Sequence, residues 1–269
     1  MKTRTIAAAI ITVGLMAAGT TGCGTDVTDK AASAAVAAAL AEASQQASKP
    51  GSADITTTVS GPKTGGRTVR TTGLYSWGNG RGISMQNEMP AADVKMEKFV
   101  ADGTVTVRLV DAVYYYNIDP VPEGPFKGKT WVRIDASAIL GEAGASAMKS
   151  GDADPMAGLK TLIYAKGASK VDTETLRGKK TTHYRATVPT DRMGAAGEAY
   201  TGMGMTGDLV TDVWLDDKGT PSRLSQSVGG TDLSIDFLSF GGSRTVEAPP
   251  AADTVDFTDQ VKKKPAGTA

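Results

Sequence analysis

Apolar and polar positions in this sequence keep one period for a stretch and then change it, and each change marks an element. Residues 31–47 are rich in alanine, with Leu40 and Glu42 among them, and Lys49-Pro50-Gly51 follows. That predicts a helix with a methyl-lined apolar side, stopped by the proline. From Ile55 onward the period drops to two. Val69, Tyr75 and Trp77 alternate with Arg70, Thr72 and Ser76. Val94 and Met96 alternate with Asp93, Lys95 and Glu97, which predicts a strand over residues 93–99. Val105, Val107 and Leu109 alternate with Thr104, Thr106 and Arg108, and the tyrosine run Val113–Asn117 and Trp131–Ile134 add two more strands. Gly78-Asn79-Gly80, Asp102-Gly103 and Asp111 supply turns, and the proline-bearing stretch 118–129 reads as a loop. The pattern is a meander of short antiparallel strands.

Residues 136–164 break the alternation. They are rich in Ala, Met and Leu, are interrupted at Gly151–Pro155, and place Met156, Leu159 and Ile163 on one helical face. Strands resume at 169–176 and 181–188, and a third helical stretch, 189–207, carries Met193, Met203 and Met205. Three strands follow at 209–215, 223–228 and 233–240, and the tail beyond Gly241 reads as extended and then frayed. The fold class is α+β, with about eleven strands. A sheet of that size with one apolar face twists and curls, and its concave side must be covered; the helices are the available cover.

Before the first helix the pattern belongs to targeting. Lys2 and Arg4 precede an apolar run densest at Ile10–Met16, and the small residues Ala17, Ala18, Gly19 and Gly22 lead to Cys23, the sole cysteine. This is the layout of a cleavable secretory signal, too short and too diluted for a spanning helix. A cysteine directly after such residues resembles a bacterial lipobox, whose cysteine is diacylated and becomes the new N-terminus. Thr20 departs from it, standing where leucine is usual. Ordinary secretion with a leftover thiol is the plainer alternative, and the position of the cysteine at the junction favours lipidation. The expected organisation is signal 1–22, tether 23–30, one domain over 31–245 and a tail over 246–269. The mature chain sits outside the cytoplasmic membrane, held to it by Cys23. Its 247 residues carry 27 basic and 29 acidic side chains, a balance unsuited to nucleic acid, which requires a basic face.

Catalytic and cofactor motifs fail on context. His183 is the sole histidine and, by strand parity, shares a solvent-side face with Arg185 and Thr187. Histidine–cysteine zinc sites are excluded by count. Gly202-Met-Gly204-Met-Thr-Gly207 fits a dinucleotide fingerprint on paper but precedes a strand. Ser146-Ala-Met-Lys149 and Lys63-Thr-Gly65 stand in the wrong order for a penicillin-binding enzyme. Asp152 and Asp154 fit a helix cap better than a calcium loop. The sequence calls for no enzyme activity, cofactor or metal.

The phrases Val113-Tyr-Tyr-Tyr-Asn117, Lys129-Thr-Trp-Val-Arg-Ile-Asp135, Gly178-Lys-Lys-Thr-Thr-His-Tyr-Arg185 and Val213-Trp-Leu-Asp-Asp-Lys-Gly219, in this order, resemble the envelope lipoproteins typified by LppX and LprG. Their fold is related to the LolA and LolB carriers. The resemblance implies a highly curved antiparallel half-barrel with helices across its mouth, enclosing an apolar cavity for the acyl chains of a lipid or lipoglycan in transit. Strand phase then assigns Val94, Met96, Val107, Leu109, Tyr115, Tyr184, Val213 and Leu224 to the cavity, with Met156, Leu159 and Ile163 in a lid. The alternative on the same fold is a non-enzymatic sensor or scaffold that binds another envelope protein.

Overall fold

β1 (Ser52–Ser60), near the start of the folded domain, hydrogen-bonds along its whole length to a strand on either side. One is β2 (Thr68–Ser76) and the other is β11 (Thr231–Gly241), close to the domain's end. The remaining strands extend this centre outward. They are β3 (Ser84–Pro90), β4 (Thr104–Val110), β5 (Val113–Asn117), β6 (Trp131–Asp135), β7 (Ser169–Leu176), β8 (Lys179–Pro189), β9 (Asp208–Asp216), β10 (Pro221–Val228) and β12 (Thr254–Asp256). The sheet order is β12-β6-β5-β4-β3-β2-β1-β11-β10-β9-β8-β7. The sheet is open and curved, and every pairing is antiparallel except β12 with β6. This computed structural model describes residues 35–36, 38–46, 49, 51–77, 83–150, 168–202, 205–242 and 244–263. Cys23, Met156, Leu159, Ile163 and Met203 lie outside them.

Turn chemistry sets the register. β10 and β11 are joined by Gly229-Gly230 at φ 57° and 74°, the two-residue turn whose twist matches that of the flanking strands and which glycine adopts freely. β4 and β5 are joined by a turn of the same kind at Asp111-Ala112, with φ 53° and 58°. Pairing Val110 with Val113 there fixes every later pair, including Leu109 with Tyr114 and Val107 with Tyr116.

The strand expected over 93–99 is not formed. Pro90, at φ −58°, leads into a single 3-10 turn over Ala91–Val94, and Lys95 at φ 58° reverses the chain. The ladder strand is Ser84–Pro90 instead. There Met85, Asn87 and Met89 share one face, and the central asparagine hides the alternation.

Among the described residues, three helices cover one face of the sheet or its margin: α1 (residues 35–36 and 38–46), α2 (Ser137–Ser150) and α3 (Ala195–Gly202). Val36, Leu40 and Ala43 of α1 join one buried core with Ala53, Ile55, Tyr75, Leu224 and Phe237 of the sheet. Leu40 and Ala43 are wholly buried. Burying a leucine of this kind contributes about 1.5–3 kcal/mol. The face so covered is called the inner face below.

The tail is ordered well past Gly241. Arg108 Nη1 donates to Glu247 O at 3.1 Å, and Thr130 N donates to Asp253 O at 3.0 Å. β12 then joins the sheet, followed by α4 (Thr258–Lys262). Phe257 closes an aromatic row with Phe126 and Phe99 at centroid distances of 5.4 and 5.5 Å.

Candidate functional site

Strand alternation and register assemble the inner face residue by residue. Tyr75 faces Met85, Met85 faces Leu109, and Leu109 faces Tyr114. On the far side Ile235 faces Leu224, Leu224 faces Val213, and Val213 faces Tyr184. The result is a continuous apolar surface from β5 to β8.

Leu109, Val213 and Leu224 lie on this face as expected, each 1% exposed or less. Val107 shares it half-buried, and Tyr184 packs against the core. Tyr115 does not share it. It pairs with Arg108 and Arg133 on the opposite face, because the two-residue turn at 111–112 sends the even-numbered tyrosines inward. Val94 and Met96, both half-buried, sit on and just after the 3-10 turn and belong to no strand. Sequence reasoning missed Tyr114, Tyr116, Ile55, Tyr75 and Phe237. For the tyrosines the signal was available, since counting back across a two-residue hairpin from Leu109 reaches Tyr114.

The inner face is not purely hydrocarbon. Trp77 Nε1, Asn87 Oδ1 and Thr211 Oγ1 are buried with no hydrogen-bond partner among the described residues. Tyr200 of α3 donates to Gln226 Oε1 at 3.2 Å. The rings of Tyr114 and Tyr116 stack at 6.4 Å. Burial pushes the Tyr116 hydroxyl up to about 12, and burial with the neighbouring Tyr116 raises Tyr114 further. Both are neutral donors at any physiological pH.

A different groove, of about 510 Å³, lies between α2, β6 and the C-terminal segment. Arg133, Lys149, Lys262, Asp135, Asp256 and Asp259 line it. It is walled by charges of both signs and offers hydrocarbon nothing.

On the outer face the strands carry charge ladders. Arg223 grips Asp236 through Nε at 2.7 Å and Nη2 at 3.1 Å, and Arg177 adds Nη1 at 2.7 Å. Burial pushes the Asp236 carboxyl up, but the hydrogen bonds and charges of Arg223 and Arg177 outweigh it and hold the group below its ordinary value. A carboxylate depressed in the folded state stabilises the fold above its unfolded value, about 3.9, and loses that contribution as pH falls through the folded one. Denaturant unfolding of the wild type and Asp236→Asn at several pH values is therefore expected to show the variant weaker above about pH 4, with the gap closing as pH falls further.

His183 shares the outward face with Arg185, as its parity predicts, yet it is only 7% exposed. Trp214 covers it, the two rings 4.2 Å apart and within 8° of parallel.

No family model matches the chain. An uncharacterised 31.2 kDa protein from the rplA–rplJ intergenic region of Streptomyces griseus is 29% identical over 182 residues, 60% of this chain and 59% of that protein. A Streptomyces coelicolor protein named as a candidate lipoprotein is 30% identical over 140 residues, 49% of this chain and 44% of that protein. The match thus spans less than two thirds of either relative. Among solved structures, lipoprotein LppX of Mycobacterium tuberculosis aligns with a TM-score of 0.53 at 13% identity, covering 80% of this chain and 99% of LppX. LprF from Mycobacterium bovis gives 0.53 at 11% identity, covering 80% of this chain and 97% of LprF. At these identities the likeness is one of fold, and the chain has the open, curved sheet of LppX and LprF.

Proposed function

We propose that this chain is an envelope lipoprotein, processed before Cys23 and anchored through it, that binds the acyl chains of a lipid or lipoglycan on its inner face. It carries or presents that lipid outside the cytoplasmic membrane. The observation that carries the reading is the predominantly apolar inner face from β5 to β8, covered by helices instead of by further strands. The shared fold with LppX and LprF and the name of the Streptomyces coelicolor relative support it. Each methylene withdrawn from water contributes about 0.8 kcal/mol, so affinity grows with chain length and needs no catalytic group. Trp77 Nε1, Asn87 Oδ1 and Thr211 Oγ1 are the points where a cargo ester or hydroxyl would find hydrogen bonds. Acyl chains on Cys23 would keep the carrier at the membrane surface where such cargo resides.

The test is native mass spectrometry of the soluble form beginning at Gly24, purified from its own host, with solvent extraction of whatever co-purifies. A stoichiometric acylated species is expected. Val107→Glu, which places a charge at a half-buried point of the inner face, is expected to lower its occupancy at least tenfold, a differential of about 1.4 kcal/mol or more. A melting curve establishes that the variant is folded. A mass that is bare as isolated and stays bare when native lipids are offered would overturn the reading and favour a protein-binding scaffold.

A further inference from the structure

The ligand-bearing atoms of Asp172, Glu174 and His183 lie within 4.8 Å of one another on the outer face of β7 and β8. We propose that these three side chains form a binding site for a divalent transition-metal ion of the zinc class, which clips the edge strand β7 to the sheet.

His183 Nε2 lies 2.6 Å from Asp212 Oδ1. Asp212 is itself held by Arg185, through Nε at 2.7 Å and Nη2 at 3.2 Å, and its carboxylate oxygen accepts a hydrogen bond from Nε2–H. In the neutral ring Nδ1 then keeps its lone pair. That nitrogen faces Asp172 Oδ1 at 3.3 Å. This nitrogen, on a side chain nine-tenths buried, and the Asp172 carboxylate meet across a gap that a positive charge fills: a proton on the ring, or a metal ion in its place.

One distance is already that of a metal site, 3.3 Å between His183 Nδ1 and Asp172 Oδ1, and Glu174 completes the group within 4.8 Å. Bonds of about 2.0–2.1 Å in a tetrahedral zinc site separate neighbouring ligand atoms by roughly 3.3–3.4 Å. The outer partners of such a site are also in place. Asp212 orients the imidazole, and the Trp214 indole N–H donates to Glu174 Oε1; carboxylate and N–H partners of this kind fix ligand tautomer and direction in metal centres. One imidazole with two carboxylates suits zinc and the neighbouring divalent transition ions, whereas calcium requires six or more oxygens. The fourth position opens to solvent through Asp172, whose side chain is 58% exposed.

The bulge in β7 creates the cluster. The register shifts between Lys170 and Asp172, so that Lys170 pairs with Tyr184 while Asp172 pairs with His183. Without that shift Asp172 would point to the other face. β7 is exposed along nearly its whole length and has a neighbour on one side alone. A metal binding Asp172 and Glu174 from β7 and His183 from β8 would tie that edge down.

The experiment uses the soluble chain from Gly24 without an affinity tag, stripped with chelator and titrated with zinc chloride alone. Calorimetry is expected to give one site per chain, with quenching of Trp214 fluorescence at the same stoichiometry. Excess zinc is expected to raise the melting temperature by about 5 °C, since it binds the folded state. Asp172→Asn and Glu174→Gln alter exposed groups on the edge strand, a metal-free melting curve establishes that each variant is folded, and each is expected to weaken binding at least tenfold. Absence of a zinc-dependent heat and melting shift would overturn the proposal. So would zinc binding of equal affinity in both variants, since the ion would then sit elsewhere.

Discussion

Replacing Leu109 with alanine is expected to cost about 2–5 kcal/mol of folding stability, read as a fall in the urea midpoint at unchanged slope. Leu109 is 1% exposed and stands on the inner face between Met85 and Tyr114. Removing its branched end leaves a hole that the neighbours on the two flanking strands cannot close together, so both the transfer term and the cavity term apply. Val107→Ala lies two residues along the same face but at a half-buried position. Its expected cost is no more than about 1 kcal/mol, because the atoms lost were already partly in water. Equal losses at the two positions would mean that this face is not packed as described.

A methyl group at position 73 should be worse than a missing one at 109. An added Cβ on Gly73 would stand 1.9 Å from Gln86 O and 2.7 Å from Asn87 Cα, both backbone atoms of β3. Side-chain rotation cannot relieve that overlap, so β2 and β3 must part where Gly73 pairs with Asn87. Gly73→Ala is expected to destabilise by about 3 kcal/mol or more, at the upper end of overpacking effects. In native-state hydrogen exchange, amide protection should fall first across β2 and β3 and persist across β8 and β9. Uniform loss of protection over the whole sheet would indicate that the strands do not open separately.

These positions also show how far the sequence could be read. β7 was legible to the residue, because Arg177-Gly178 announces the hairpin and the β-branched Val171, Thr173 and Thr175 recur at every second position. The inner placement of Leu109, Val213 and Leu224 followed from simple alternation beside clear turns. The strand at Ser84–Pro90 was lost because Asn87 occupies an inner position, which breaks the apolar alternation that identifies a strand. The false strand at 93–99 alternates well, but Pro90 and the left-handed Lys95 spend that segment on a tight turn, and local turn geometry overrode the pattern. Tyr115 failed for another reason. Three consecutive tyrosines give no parity of their own, and only the hairpin at 111–112 decides which of them face inward. The tail could not be read at all, since β12 is three residues long and is held by contacts to β6 and the 126–130 loop that lie far away in sequence.

The central position of β1 has a consequence for how the molecule comes into being. Ser52 pairs with Gly241, so the middle of the sheet joins residues from opposite ends of the domain. β1 with β2 and β3 can form early, and so can β8 with β9 and β10, but neither half is complete until β11 has arrived. Closing so long a loop makes folding slow relative to a protein built from neighbouring segments. A chain emerging N-terminus first through a secretion pore would stay open until nearly all of it had crossed. For the exported lipoprotein proposed above, a topology that completes the apolar face last would keep the polypeptide threadable until its passage was finished.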